Sequence, residues 1–337
     1  MNAESKYTKK DFVPTGEVKW CAGCGDYAIL AQVQKVLAET GRSPDEFAFI
    51  SGIGCSSRFP YYMNCYGLHG IHGRALAIAT GTKVANPNLS VWVAMGDGDG
   101  LAIGGNHFLH AVRRNVNLNG ILMDNRIYGL TKGQFSPTSF RGQKTKTAPM
   151  GTVEDPIDPI SLSLSLGGTF VARATDRDVK HLGSVIARCY EHEGFGMVQV
   201  LQNCPIFNDG AYDAWVGKGS AENVLKMEHG QKMIFGLENE KCIVRQGFSP
   251  KVAYVSEVNE ADIVVHDEFA SDPGLAGFLS QMNGNKGLPM ALGIFRQIKA
   301  PSYEAEYRRQ NDEAYAKSPH KGNLQSLLNS GETWTVS

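Results

Sequence analysis

The chain has 337 residues, 42% hydrophobic and 20% charged, which suits one large or two modest domains with a sizeable buried core. Lysine and arginine number 33 against 34 aspartates and glutamates, and the net charge of -1 gives no support to nucleic acid or an anionic membrane as the main partner. No apolar run approaches the roughly 20 residues needed to span a bilayer, and the polar segment 1–10 lacks the apolar stretch of a signal peptide, so the chain reads as cytoplasmic.

Along the chain, strand-like and helix-like patterns alternate. Asp26 is placed to cap a helix carrying Ile29, Leu30, Val33, Val36 and Leu37, stopped at Gly41. Phe47–Ile50 reads as a buried strand, 74–84 as an alanine-rich helix, and Val91–Met95 as a second strand. A helix over 101–114 and a strand at Ile121–Met123 follow. Further on, 169–172, 176–192 and 197–201 repeat the strand–helix–strand order. Short apolar strands separated by helices predict an α/β fold, a mostly parallel sheet with helices on both faces.

The stretch 130–160, rich in Lys, Thr, Ser and Pro, breaks this rhythm and reads as a long functional loop. Beyond it the main domain is expected to end near 210, leaving 211–337 as an extension that packs on that domain and on partner subunits. Within the extension, 232–235 and 242–245 suggest a hairpin and 261–266 one more strand.

Two constellations carry chemistry. Strand 91–95 runs straight into Gly96-Asp97-Gly98-Asp99-Gly100, where glycines let the backbone approach phosphate oxygens and a helix start offers free N–H groups. The next strand ends in Asp124-Asn125-Arg126-Ile127-Tyr128-Gly129. Asp97 and Asn125 therefore both fall at carboxyl ends of strands, where open α/β sheets place ligands, and their oxygens suit Mg²⁺. Alone, Gly-Asp-Gly is only a turn, and Asp99 can merely cap the helix that follows. A nicotinamide fingerprint is not completed, because Leu101 stands where its third glycine belongs.

The second constellation is thiol. Of seven cysteines, an odd number in a chain read as intracellular, Cys21 and Cys24 lie three positions apart before the first helix. Cys55 follows the first strand and Cys204 follows the strand at 197–201, so both fall on the same sheet edge as Asp97. Four thiolates there suit Zn²⁺ or a [4Fe–4S] cluster, and one tight pair with two singles favours the cluster. Cys65, Cys189 and Cys242 read as structural.

Together these motifs resemble the β subunits of 2-oxoacid:ferredoxin oxidoreductases. The resemblance spans roughly residues 12–215 and is carried by Trp20-Cys-Ala-Gly-Cys-Gly, Gly52-Ile-Gly-Cys-Ser-Ser-Arg and His72-Gly-Arg-Ala. Gly96-Asp-Gly-Asp, Asp124-Asn-Arg-Ile-Tyr-Gly-Leu-Thr-Lys-Gly-Gln and Leu201-Gln-Asn-Cys-Pro add to it. Ala22 stands where many relatives have proline, away from the thiols themselves. The resemblance implies a [4Fe–4S] cluster on Cys21, Cys24, Cys55 and Cys204, and Mg²⁺ on Asp97, Asn125 and the carbonyl of Ile127. It implies thiamine diphosphate contacts from Ile53, Gly54, Cys55, Ser56, Gly98, Asp99, Gly129 and Leu130, with Arg58 and Lys132 near the substrate carboxylate.

The implied reaction is coenzyme A-dependent oxidative decarboxylation of a 2-oxoacid, reversible, with electrons passed to ferredoxin. Asn208-Asp209-Gly210 and Ser330-Gly-Glu-Thr-Trp334 resemble the 2-oxoglutarate branch, with pyruvate the alternative substrate. A partner α subunit, expected in an (αβ)₂ assembly, would supply the pyrimidine-side domain and its glutamate. His69 and His72 lie near the first thiol loop with no assigned role. A non-redox thiamine lyase and an electron-transfer or zinc-scaffold subunit are the rival readings. The first leaves the four cysteines idle, and the second makes the Gly-Asp-Gly turn fortuitous.

Overall fold

The computed structural model describes residues 6–217, 219–318 and 322–336. Its first half builds α1 (Asp26–Glu39), β1 (Phe47–Ser51), β2 (Tyr66–His69), α2 (Ala75–Ala85), β3 (Ser90–Gly96), α3 (Gly105–Arg113) and β4 (Leu118–Asp124). After the long loop come α4 (Pro159–Ser165), β5 (Phe170–Thr175), α5 (Val179–Glu191) and β6 (Phe195–Leu201). The last third adds α6 (Asp213–Val216), β7 (Val224–Lys226), β8 (Ile234–Phe235), β9 (Lys241–Gln246), β10 (Ser249–Tyr254), α7 (Gly274–Ser280), β11 (Met290–Gln297), α8 (Tyr303–Lys317) and α9 (Leu324–Leu328).

Eight strands form one sheet in the order β2-β1-β3-β4-β6-β5-β11-β7, parallel except where β11 runs against β5. The expected mostly parallel α/β fold is present. Both faces of the central strands are covered, as apolar runs without alternation require. Along β3, Val91, Val93 and Met95 join a core with Leu76 of α2 and Phe108 of α3. Trp92 and Ala94 point into the opposite core with Val33 of α1 and Ile186 of α5. There Trp92 stacks on Phe49 with ring centroids 5.7 Å apart.

The winding places the site. The chain crosses from β1 through α2, β3 and α3 to β4 on one face. It then passes β4's next position, builds β5, and returns through α5 on the other face to lay β6 beside β4. Winding reverses between β4 and β6, so the crevice at a reversal of an open sheet opens at the carboxyl ends of β1, β3, β4 and β6.

Several local expectations give way. Asp26 is the first residue of α1, buried, with Gly25 at the cap position. The helix expected from 101 begins instead as a wide π-type turn, Asp99–Ile103, and α3 starts at Gly105. Segment 261–266 forms no continuous strand. After the short turn Glu260–Asp262 it touches Val244 through Ile263 and Lys232 through Val265 as single bridges. The hairpin is present as β8 and β9, and β10 completes a three-stranded sheet. From beyond residue 210, β7 and β11 enter the main sheet itself. Among the described residues no helix is long and apolar enough to cross a membrane.

Candidate active site

At the end of β3, Asp97 is buried, and its Oδ2 accepts hydrogen bonds from the hydroxyls of Ser136 and Thr138, the latter at 2.6 Å. Thr138 Oγ1 also lies 2.7 Å from Asp124 Oδ1 at the end of β4. Burial, and then Asp124 beside it, push the Asp97 carboxyl above the usual carboxylate range. A bound cation would reverse that. Asn125 Nδ2 donates to Gln202 Oε1 at 2.8 Å, and its Oδ1 accepts from the N–H of Ile127 at 3.1 Å. The side-chain oxygens at this edge come from a carboxylate and an amide, which fits Mg²⁺.

Asp99 does not cap the helix that follows. Its Oδ1 accepts from the N–H of Ile53 at 3.0 Å, the N–H of Gly73 at 2.7 Å and His72 Nδ1 at 2.8 Å. The carboxylate therefore pins the β1 loop to the start of α2, and its Oδ2 is buried without a partner. A Cβ on Gly52 would run into this carboxylate, and one on Gly98 into the Tyr128 ring, whose hydroxyl donates to Gly98 O at 3.1 Å. Both glycines are needed for the backbone's close approach.

Gly52→Ala is therefore expected to destabilise the cofactor-free complex by about 1–3 kcal/mol, the usual cost of overpacking. Gly16→Ala, where nothing lies within 4 Å, is the neutral control in the same thermal unfolding experiment. An unchanged melting temperature for Gly52→Ala would show that Asp99 can move away freely.

Cys55 and Cys204 lie at the neighbouring strand ends, with Cys21 near enough for its charge to be felt at Cys55 and Cys24 near enough to feel both. A Cβ on Gly129 would lie 3.6 Å from the sulfurs of both Cys55 and Cys204, so the turn after β4 lies beside both thiols. Gln202 Nε2 donates to Cys24 Sγ at 3.4 Å, and Trp20 Nε1 fixes the Cys55 carbonyl at 2.7 Å. Burial first, then the charges of Asp26 and the neighbouring thiols, push Cys24 far up; burial and Asp26 likewise push Cys55 up to about 12. Left to themselves these thiols hold their protons, and a cationic centre is what would make them thiolates.

Among the described residues no three His, Cys, Asp or Glu side chains converge closely enough for a single metal ion. Cys65, Cys189 and Cys242 lie apart: Cys189 is buried against Asn119, and Cys242 against Ala253 on β10. All seven cysteines are free.

Comparison with known proteins decides the family. Residues 52–200 match the model described as thiamine pyrophosphate enzyme, C-terminal TPP binding domain. The chain is 49% identical over 97% of its length to the 2-oxoglutarate oxidoreductase subunit KorB of Mycobacterium tuberculosis, covering 88% of that protein. The chain belongs to the β subunits of the 2-oxoacid:ferredoxin oxidoreductases. A 2-oxoacid:ferredoxin oxidoreductase subunit beta of Saccharolobus solfataricus matches at 48% identity over 56% of this chain and 63% of that one. A solved 2-oxoglutarate:ferredoxin oxidoreductase from Magnetococcus marinus, with 2-oxoglutarate, coenzyme A and succinyl-CoA bound, superposes with a TM-score of 0.77. It is 35% identical and aligns over 96% of each chain.

For a β subunit of this family, the remaining expected residues fall around the same crevice. Ser56 is buried with its hydroxyl against Gly96, and Gly54 turns through a positive φ of 139°. Ile53 and Leu130 are apolar yet exposed. Arg58 is half-buried over the Tyr62 ring at 5.9 Å, and its charge reaches Cys55. Lys132 is exposed at a positive φ of 77°, on a turn whose N–H returns to Gly129 O at 3.0 Å. Both basic residues thus flank the Cys55–Gly129 neighbourhood. His69 Nδ1 lies 3.0 Å from the Tyr61 hydroxyl.

Sequence reasoning missed Ser136, Thr138 and Gln202, and left His72 without a role. Ser136 and Thr138 sit in the patternless loop, and only the folding back of that loop brings them to Asp97. His72 carried a signal, since it stands in a turn one residue before a glycine of φ 71°.

Proposed function

We propose that this chain is the β subunit of a cytoplasmic enzyme that converts 2-oxoglutarate and coenzyme A to succinyl-CoA and CO₂. The two electrons released would pass one at a time to ferredoxin, reversibly. The observation that carries the reading is Gly129, which follows the Asn125 strand end and lies beside the thiols of both Cys55 and Cys204. The closeness of this strand end to two of the four thiols supports a cofactor and a cluster side by side. When bound, thiamine diphosphate supplies the electron sink for decarboxylation and a [4Fe–4S] cluster supplies the one-electron acceptor.

The protein's share is binding and orientation. Asp97, Asn125 and the Ile127 carbonyl would hold Mg²⁺. Ile53, Gly54, Cys55, Ser56, Gly98, Asp99, Gly129 and Leu130 would line the thiamine diphosphate, and exposed Ile53 and Leu130 keep water from the reacting carbon. Cys21, Cys24, Cys55 and Cys204 would hold the cluster. Arg58 and Lys132 would orient the oxoacid carboxylate. The seven free thiols support a reducing compartment. The glutamate facing the aminopyrimidine is read as the α subunit's contribution, in an (αβ)₂ assembly.

The test is a panel of 2-oxoacids on the co-purified αβ complex with coenzyme A and a one-electron dye, alongside iron, acid-labile sulfide and thiamine analysis. The reading expects all three components and preference for 2-oxoglutarate. Thiamine without iron would favour a non-redox lyase. A preference for pyruvate would overturn the substrate, and turnover by the isolated chain would overturn the need for α.

A further inference from the structure

Behind Asp97 a single line of side chains crosses the sheet to the C-terminal third of the protein. Arg173 on β5 is fully buried, an expensive place for a guanidinium unless every donor is used. Its Nε donates to Gln199 Oε1 on β6 at 2.7 Å. Gln199 Nε2 donates to Asp124 Oδ2 at 2.7 Å, and Asp124 Oδ1 meets the Thr138 hydroxyl, which contacts Asp97 Oδ2. At the far end, Arg173 Nη1 donates to the carbonyls of Met282 at 3.3 Å and Ala291 at 3.4 Å, and Nη2 to Asp158 at 3.3 Å.

The polarity of this line is set by Arg173. Arginine can only donate, so it holds the Gln199 amide oxygen toward itself and turns the amide nitrogen toward Asp124. Asp124, accepting there, presents its other oxygen to Thr138, whose single hydroxyl proton is shared between Asp124 Oδ1 and Asp97 Oδ2. Thr138 and Ser136 together occupy Oδ2 of Asp97. Such outer hydrogen bonds fix the direction of a ligating carboxylate.

We propose that Arg173 is a positioning residue that orients Asp97 for its metal through Gln199, Asp124 and Thr138. Retention of the metal thereby depends on seating of the segment 282–291. The inference rests on the reading of Asp97 as a Mg²⁺ ligand.

The test is Mn²⁺ binding by the purified αβ complex with thiamine diphosphate, read from the free-Mn²⁺ electron paramagnetic resonance signal. Thermal unfolding of the metal-free complex is measured beside it. Gln199→Met and Thr138→Val are each expected to weaken Mn²⁺ binding about tenfold, the low end for second-sphere partners. Thr138→Ser should restore it. Because the links act in series, the double variant should bind no more weakly than the weaker single one.

Mn²⁺ affinity within twofold of the parent for Gln199→Met, or effects that multiply in the double variant, would overturn the proposal. So would lowered melting temperatures with metal affinity unmoved. Asp97→Asn separates the two layers: if it keeps Mn²⁺, the ligand reading fails, and if it alone loses Mn²⁺, only the relay fails.

Discussion

Asp97→Asn in the αβ complex is expected to weaken Mg²⁺-dependent binding of thiamine diphosphate by at least about a hundredfold, roughly 2.7 kcal/mol, and to abolish oxoacid turnover. The substitution keeps shape and removes charge. A divalent ion held between a diphosphate and a neutral site loses its closest compensating anion, and the amide of Asn125 cannot replace it. The fold should not suffer. Burial and Asp124 already raise the Asp97 carboxyl, so its ionised form is disfavoured in the folded chain, and a neutral residue removes that cost. An asparagine oxygen can still accept from Ser136 and Thr138. Calorimetric titration of thiamine diphosphate at saturating Mg²⁺ checks the binding, and thermal unfolding without cofactor checks the fold. Retained affinity would mean that the metal is held elsewhere.

The positions of Asp97, Asn125, Cys55 and Cys204 were legible because each follows directly on an apolar run. In a parallel α/β sheet, a residue just past a strand has only one edge to occupy. The thiols' convergence on Gly129 was not legible, since it depends on β6 returning beside β4 rather than on any local spacing. β11 was missed although Met290-Ala-Leu-Gly-Ile-Phe is an apolar run, because its place between β5 and β7 is long-range and antiparallel to β5. Arg173 offered a usable signal. A charge in the middle of the buried strand 170–175 must be paired, and the glutamine in the middle of 195–201 is its partner. Where the loop 136–143 docks could not be read at all. Its hold comes from Ser139 donating to Arg126 O at 2.6 Å and from Arg126 stacking 3.6 Å from the Phe140 ring centroid. Both contacts exist only once the strand end has been built.

On the proposed ligand set, Cys204→Ser is expected to strip the β chain of the proposed cluster, a loss on the order of four iron atoms with their sulfide, and to cut reduction of a one-electron dye below about 1% of the parent. Serine is nearly isosteric, but its hydroxyl is a far poorer iron ligand than a thiolate. The thiols of Cys55 and Cys204 both lie beside Gly129, so a centre anchored on both would lose one of its two sheet-edge anchors. The remaining pair, Cys21 and Cys24, sits on the turn before α1, tied to the Cys204 segment by Gly25 N–H donating to Asn203 O at 3.2 Å. That turn should loosen as well, with more exposure at Cys24. Cys65→Ser and Cys189→Ser, which replace thiols outside the constellation, should leave iron and sulfide unchanged. Thiamine diphosphate binding should persist in Cys204→Ser, because Asp97, Asp99 and Asn125 are untouched. That split, cofactor kept and electron transfer lost, distinguishes a redox centre from a structural staple, whose loss would carry cofactor binding down with it. Iron retained at the parent level in Cys204→Ser would remove this cysteine from the ligand set.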